Sequence, residues 1–131
     1  MIELLLIGDY ESAKWHSMKG YDALISNLFK EGKWTLVKTN ELTSSIDFST
    51  YRVIVSLSDQ WTPLEENVAI NLTNYLNNGG SLLMIHQGIS LQSTPRLKPL
   101  LGGLFNGHPE EALLTYHVTD HSFDFTKGIS L

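Results

Sequence analysis

The sequence predicts an α/β domain whose mostly parallel sheet is covered on both faces, the doubly wound arrangement. Three observations carry this prediction. Continuous apolar runs such as Leu4-Leu5-Leu6-Ile7 suit strands buried on both sides. These runs alternate with segments of helical periodicity, which calls for crossover connections between parallel strands. Glycine and capping signals mark the junctions.

The first strand is read over residues 2–7, apolar except for Glu3, and its character makes it central. Residues 8–20 form a polar and aromatic loop at its carboxyl end, carrying Asp9, Trp15 and His16. A first helix follows over residues 21–30, where Leu24, Ile25, Leu28 and Phe29 recur at helical spacing and Gly32 supplies a stop. Residues 34–37 read as a second strand, 41–50 as a Ser/Thr-rich connection, and 51–57 as a third strand with Val53, Ile54 and Val55 at its centre. The second helix has the clearest start signals in the chain. Thr62 is a good N-cap, Pro63 fits the first helical position, and Glu65 completes a capping box. Leu64, Val68, Leu72 and Leu76 form its sheet-facing stripe, and Asn78-Gly79-Gly80 its left-handed exit. Leu82-Leu83-Met84-Ile85 is a fourth buried strand. Pro95 and Pro99 break any long helix after it, leaving at most a short turn before Gly102-Gly103. Residues 113–119 alternate as a fifth strand, with Leu114, Tyr116 and Val118 on one face.

A chain of 131 residues with 42% hydrophobic and 18% charged residues builds one core and folds without staples. Its formal net charge of -5 offers no electrostatic footprint for nucleic acid or for an anionic membrane surface. No stretch approaches the length of a membrane helix, and the apolar start lacks the basic flank of a leader, so the cytoplasm is the expected location. The absence of cysteine excludes disulfides, thiolate metal sites and thiol nucleophiles.

Chemistry is expected first at Met84-Ile85-His86-Gln87-Gly88. A strand that turns sharply into a helix can hold one side chain exposed above the sheet, and Gly88 provides the small residue such an elbow needs. Met84 stands where the other glycine of the motif is usual. The competing reading is a histidine that caps the next segment or hydrogen-bonds in the core. A second cluster, Gly102-Gly103-Leu104-Phe105-Asn106-Gly107-His108-Pro109, allows close backbone approach and an extended His108 before proline. A third is Asp120-His121, where a carboxylate could orient an imidazole.

Taken in order, Asn78-Gly79-Gly80-Ser81-Leu82 through His86, Leu100-Leu101-Gly102-Gly103-Leu104-Phe105, Gly107-His108-Pro109, and Asp120-His121 with Thr126-Lys127-Gly128-Ile129 resemble the ThuA-like (trehalose utilisation) family. The resemblance covers residues 78–129 closely and the first half in outline. It implies a flavodoxin-like, three-layer fold similar to class I glutamine amidotransferases, with His86 where those enzymes hold a nucleophilic cysteine. Without cysteine there is no thioester chemistry, hence no glutaminase activity. It also implies a role in sugar or glycoside metabolism, and elements beyond Leu131, so that this single domain reads as short at its carboxyl end. Ser122 replaces the proline that usually follows the last histidine of the pattern.

Carried over position by position, the catalytic candidates are His86, His108 and His121, with His16, Gln87, Gly88, Gly103 and Asp120 contacting substrate. The three histidines could hold a divalent metal through neutral nitrogens or act as general acids and bases on a polyol. The ligand is then a sugar-like small molecule, with self-association as a way to complete the surface. A non-catalytic binding or assembly module is the alternative. A phosphorylatable receiver domain is weaker: Asp9 and Asp59 follow the first and third strands, but no adjacent acidic pair follows the first strand. Flavin and NAD are not expected, because Gly8-Asp9-Tyr10-Glu11-Ser12 offers acid where phosphate needs glycines and hydroxyls.

Overall fold

The computed structural model describes residues 2–10, 17–28, 32–37, 42–59, 61–115, 117 and 119. Four parallel strands form one sheet in the order β2-β1-β3-β4: β1 is Ile2–Gly8, β2 Gly32–Val37, β3 Val53–Leu57 and β4 Ser81–Met84. Two helices cross between strands, α1 at Tyr21–Leu28 and α2 at Glu66–Asn77. As the apolar run at the amino terminus requires, β1 is central, with Leu4, Leu5, Leu6 and Ile7 each no more than 1% exposed. Burying each such side chain stabilises the fold by roughly 1.5–3 kcal/mol.

Alternate residues of β1 and β3 serve opposite faces, as the period of a strand dictates. Leu5, Ile7 and Ile54 join Val68, Leu72 and Tyr75 of α2, together with Phe48 from the β2–β3 connection and Leu91, Leu97 and Leu101 from beyond β4. Leu6, Val55 and Leu57 join Ile25 of α1 and Met18. Gly8 lies so close to Met18 that a side chain there would overlap the Met18 thioether.

Three expectations need correction. The start of α2 lies at Glu66, past Thr62 and Pro63, and Glu65 occupies the cap position without a side-chain cap bond. A tertiary bond competes with the local signal: the Leu64 amide donates to Thr94 Oγ1 at 3.0 Å, which holds the approach to the helix extended. In α1, Ile25 is buried but Leu24 is 61% exposed, so one turn of the apolar stripe faces outward; residues 29–30 lie outside the described set. No strand forms at 113–119 among the described residues. Leu113 is 98% and Leu114 65% exposed, so the start of the alternating pattern pairs with no strand and buries neither face. Tyr116 and Val118 lie outside the described residues.

After β4 the chain enters a 3-10 helix over His86–Ser93 and a shorter one over Lys98–Leu100, consistent with the prolines that exclude a long regular helix. A further 3-10 turn, Phe48–Thr50, is capped by Asp47, whose carboxylate accepts from Ser49 N at 3.0 Å. Ser49, through its hydroxyl and then its amide, holds the Asp47 carboxyl below its usual range. With the folded pKa depressed, this cap contributes at pH above the ordinary aspartate value and fades as pH falls through the lowered one.

Tyr75 ties the amino ends of the strands together. Its hydroxyl accepts from Ser81 N at 3.0 Å and lies 3.0 Å from the Ser81 carbonyl and 3.3 Å from that of Arg52. Burial pushes this phenol up. Gly80 lies against the same ring, where a Cβ would overlap it. Tyr75→Phe is therefore expected to lower the unfolding free energy by about 1–2 kcal/mol, and Gly80→Ala by about 1–3 kcal/mol, in urea titrations. Unchanged midpoints for both would contradict this anchoring.

Candidate functional site

Because all four strands are parallel, their carboxyl ends open on one edge, and the loops there supply the candidate residues. β1 ends at Gly8 and continues into Asp9, which is 5% exposed; its carbonyl accepts from Met18 N at 2.8 Å, closing the base of the first loop. The Ser17 hydroxyl donates to the Tyr10 carbonyl at 3.1 Å just above. Burial, and after it the Asp22 carboxylate, raise the Tyr10 phenol, while the same pairing lowers Asp22. His16, Asp120 and His121 lie outside the described residues.

The carboxyl end of β4 has the geometry of an elbow. Ile85 is extended at φ -109° and ψ 124°, and its amide donates to the Ser56 carbonyl at 2.9 Å. The next residue, His86, has φ 49° and is the only non-glycine residue with positive φ among those described. The chain then turns at once into the 3-10 helix, with Gly88 N donating to Ile85 O at 2.9 Å. Left-handed backbone at a residue with a Cβ is strained by about 1–3 kcal/mol and persists only where its surroundings enforce it. Here the enforcement is visible. Gly88 is buried against β3, and any Cβ on it would overlap the Ser56 carbonyl oxygen. Two residues on, the Ser90 hydroxyl donates to the Ser58 carbonyl at 2.7 Å, with both serines no more than 1% exposed.

The imidazole of His86 stands exposed, with Nδ1 2.9 Å from Gln87 Oε1. An amide oxygen can only accept, so Nδ1 carries the proton and Nε2 is the basic nitrogen of the neutral ring. Gln87 is itself 8% exposed, a buried side chain that orients an exposed one. Sequence spacing alone could not show this, since adjacent residues seldom meet.

His108 reaches the same edge indirectly. Gln92 clamps the backbone of Phe105 with both halves of its amide, Nε2 donating to the Phe105 carbonyl at 2.9 Å and Oε1 accepting from Phe105 N at 2.7 Å. The Phe105 ring lies 5.8 Å from that of Trp61, just past the end of β3, and 6.3 Å from that of His108. Trp61 is fixed in turn by its indole N–H, which donates to Asp59 Oδ1 at 3.0 Å. His108 is exposed, with Nδ1 2.9 Å from the Pro109 carbonyl, which leaves Nε2 as its acceptor too. Gln92 lies in the same 3-10 helix that His86 opens, so its clamp ties the His108 segment to the element that follows the elbow.

The dense glycines of that segment serve turns more than close approach. Gly102 and Gly107 have φ of 70° and 109°, whereas Gly103 is exposed with open space around any added Cβ. Gln92, Trp61, Ser58 and Ser90 escape a reading of the sequence because none carries a motif. Among the described residues no three His, Cys, Asp or Glu side chains are grouped to hold a metal ion. Likewise, no described helix is long and apolar enough to cross a membrane.

The family model described as ThuA, trehalose utilisation, matches residues 10–131. No curated protein and no solved structure matches the chain.

The packing at the elbow yields a paired test. Gly88→Ala is expected to destabilise by about 1–3 kcal/mol, because the methyl group meets backbone that cannot yield. Gly103→Ala should stay within about 0.5 kcal/mol. Equal effects in denaturant titrations would remove the Ser56 contact from the explanation of the turn.

Proposed function

Since the chain belongs to the ThuA (trehalose utilisation) family, we propose that it acts in sugar or glycoside metabolism through a histidine-lined pocket at the carboxyl edge of its sheet. The observation that carries this is the strained, exposed His86 at the junction of β4 and the following helix. Backbone strain of this kind gathers at active sites and ligand clamps, and a histidine that merely filled a core would have no need of it. His86, oriented by Gln87, offers Nε2 as a general base toward a polyol hydroxyl or an acidic C–H. His108 offers a second such nitrogen. His121, Asp120 and His16, which lie outside the described residues, are the further candidates of this reading. Gly88 and Gly103 contribute backbone, and the exposed Trp61 and Phe105 rings give an aromatic wall on which the apolar face of a sugar could rest.

Among the described residues no set of side chains is grouped to hold a divalent metal, and the two described histidines are read as acid–base groups. With no cysteine in the chain, the pocket carries out no glutamine hydrolysis of the thioester type. The strand order β2-β1-β3-β4 supports a flavodoxin-like, doubly wound fold related to class I glutamine amidotransferases, in one domain.

A non-catalytic assembly module is the second reading. It draws on Leu83, 52% exposed on the edge strand β4, and on the exposed Leu113 and Leu114, all of which suit contact with another copy.

Thermal-shift measurements across a panel of sugars and keto-sugars separate the two. The catalytic reading expects at least one ligand to raise the Tm of the parent and to lose that effect in His86→Ala. No shift with any ligand, together with a dimer broken by Leu83→Lys, would establish the assembly reading instead. Gln87→Glu gives a finer test. A carboxylate also accepts from Nδ1–H, so the ring keeps its orientation and the ligand-induced rise in Tm should survive, whereas Gln87→Leu should lose it. Equal ligand shifts in both variants would show that Gln87 does not orient the ring.

A further inference from the structure

The opposite edge of the sheet carries a crevice that no described histidine lines. At the amino ends of the strands, the 44–52 segment, α2 and the start of β1 enclose a crevice of about 820 Å³. Its floor is aromatic: Phe48 and Tyr75 lie with ring centroids 6.4 Å apart, and both are buried. Its walls are polar. Asn71, Asn74 and Asn78 line it from one side of α2 and its cap, at the i, i+3, i+7 spacing that puts residues on one helix face. Those three amides extend over about 10 Å at 1.5 Å per residue, the length of two linked sugar rings. All three are exposed, and their side chains hydrogen-bond to no described protein group. Ser44 and Thr50 add hydroxyls from the facing wall.

The walls are also fixed in advance. Arg52 N donates to the Glu3 carbonyl at 2.8 Å, the Asp47 cap holds the 3-10 turn, and the Tyr75 hydroxyl anchors the floor to both Arg52 and Ser81. A preformed crevice loses little entropy when a ligand enters. The charges lining it are Glu3, Asp47 and Arg52, and Glu3 is already paired with Lys33 Nζ at 3.0 Å, so Arg52 is the one cation in the described lining and no basic cluster is gathered for a phosphate. Amides and hydroxyls, each able to donate and accept, match sugar hydroxyls that do the same. We infer that this crevice binds a neutral polyhydroxylated molecule of one or two sugar rings. It is a site separate from the His86 edge and does not depend on the function proposed there.

The full chain titrated with maltose, glucose and inorganic phosphate, followed by saturation-transfer NMR, tests this. Maltose should bind, glucose more weakly, and phosphate should not compete. Asn71→Ala with Asn74→Ala should weaken maltose at least tenfold while leaving stability unchanged or raised, because alanine is the better helix former. That opposite sign separates lost binding from lost folding. His86→Ala should leave maltose affinity as it was. Maltose affinity that survives the paired asparagine change, is abolished by His86→Ala, is displaced by phosphate, or is absent at millimolar concentration would each overturn the inference.

Discussion

The carbonyl of Ser56 is the point on which the carboxyl edge of this protein is built. It accepts the amide of Ile85, which seats the end of β4 against β3, and it presses on Gly88 so closely that no side chain fits there. Between those two contacts lie His86 and Gln87, and His86 absorbs the change of direction with a left-handed backbone. The Ser90–Ser58 bond then fixes the helix that follows, whose third turn offers Gln92 to the His108 segment. From one backbone oxygen on a central strand, the chain of constraints runs to both described candidate histidines.

Much of this was legible in the residues. The β1 run Leu4-Leu5-Leu6-Ile7 could only be a central strand, and Gly88 after His86 already suggested an elbow. Asn78-Gly79-Gly80 ends α2 as expected, with Gly79 at φ 88°. What could not be read was settled by partners distant in sequence. The Thr62-Pro63 signal for a helix start is sound local chemistry, yet Thr94, a residue beyond β4, captures the Leu64 amide and delays the helix. The alternation at 113–119 specifies which side chains would face a core, but it does not by itself supply ladder bonds to a neighbouring strand. Gln92 has no motif to announce it, since its role rests on a clamp to Phe105 in another segment.

The two edges of the sheet divide the chemistry between them. At the carboxyl edge, strain and exposed imidazoles provide reactive groups beside an aromatic wall. At the amino edge, asparagines and hydroxyls over an aromatic floor provide hydrogen bonds and no nucleophile. The central strands β1 and β3 that join the two are buried on both faces, so the edges are held at a fixed separation by the most rigid part of the molecule.

The strain at His86 is the claim most open to direct measurement. Glycine adopts positive φ without penalty, while alanine keeps the penalty and loses the same imidazole. Comparing the unfolding free energies of His86→Gly and His86→Ala isolates the backbone term. Glycine at this position is expected to be the more stable of the two by about 1–2 kcal/mol. Equal stability, or a more stable alanine variant, would mean that the chain does not turn at His86 through a left-handed residue, and the elbow would lose its physical basis.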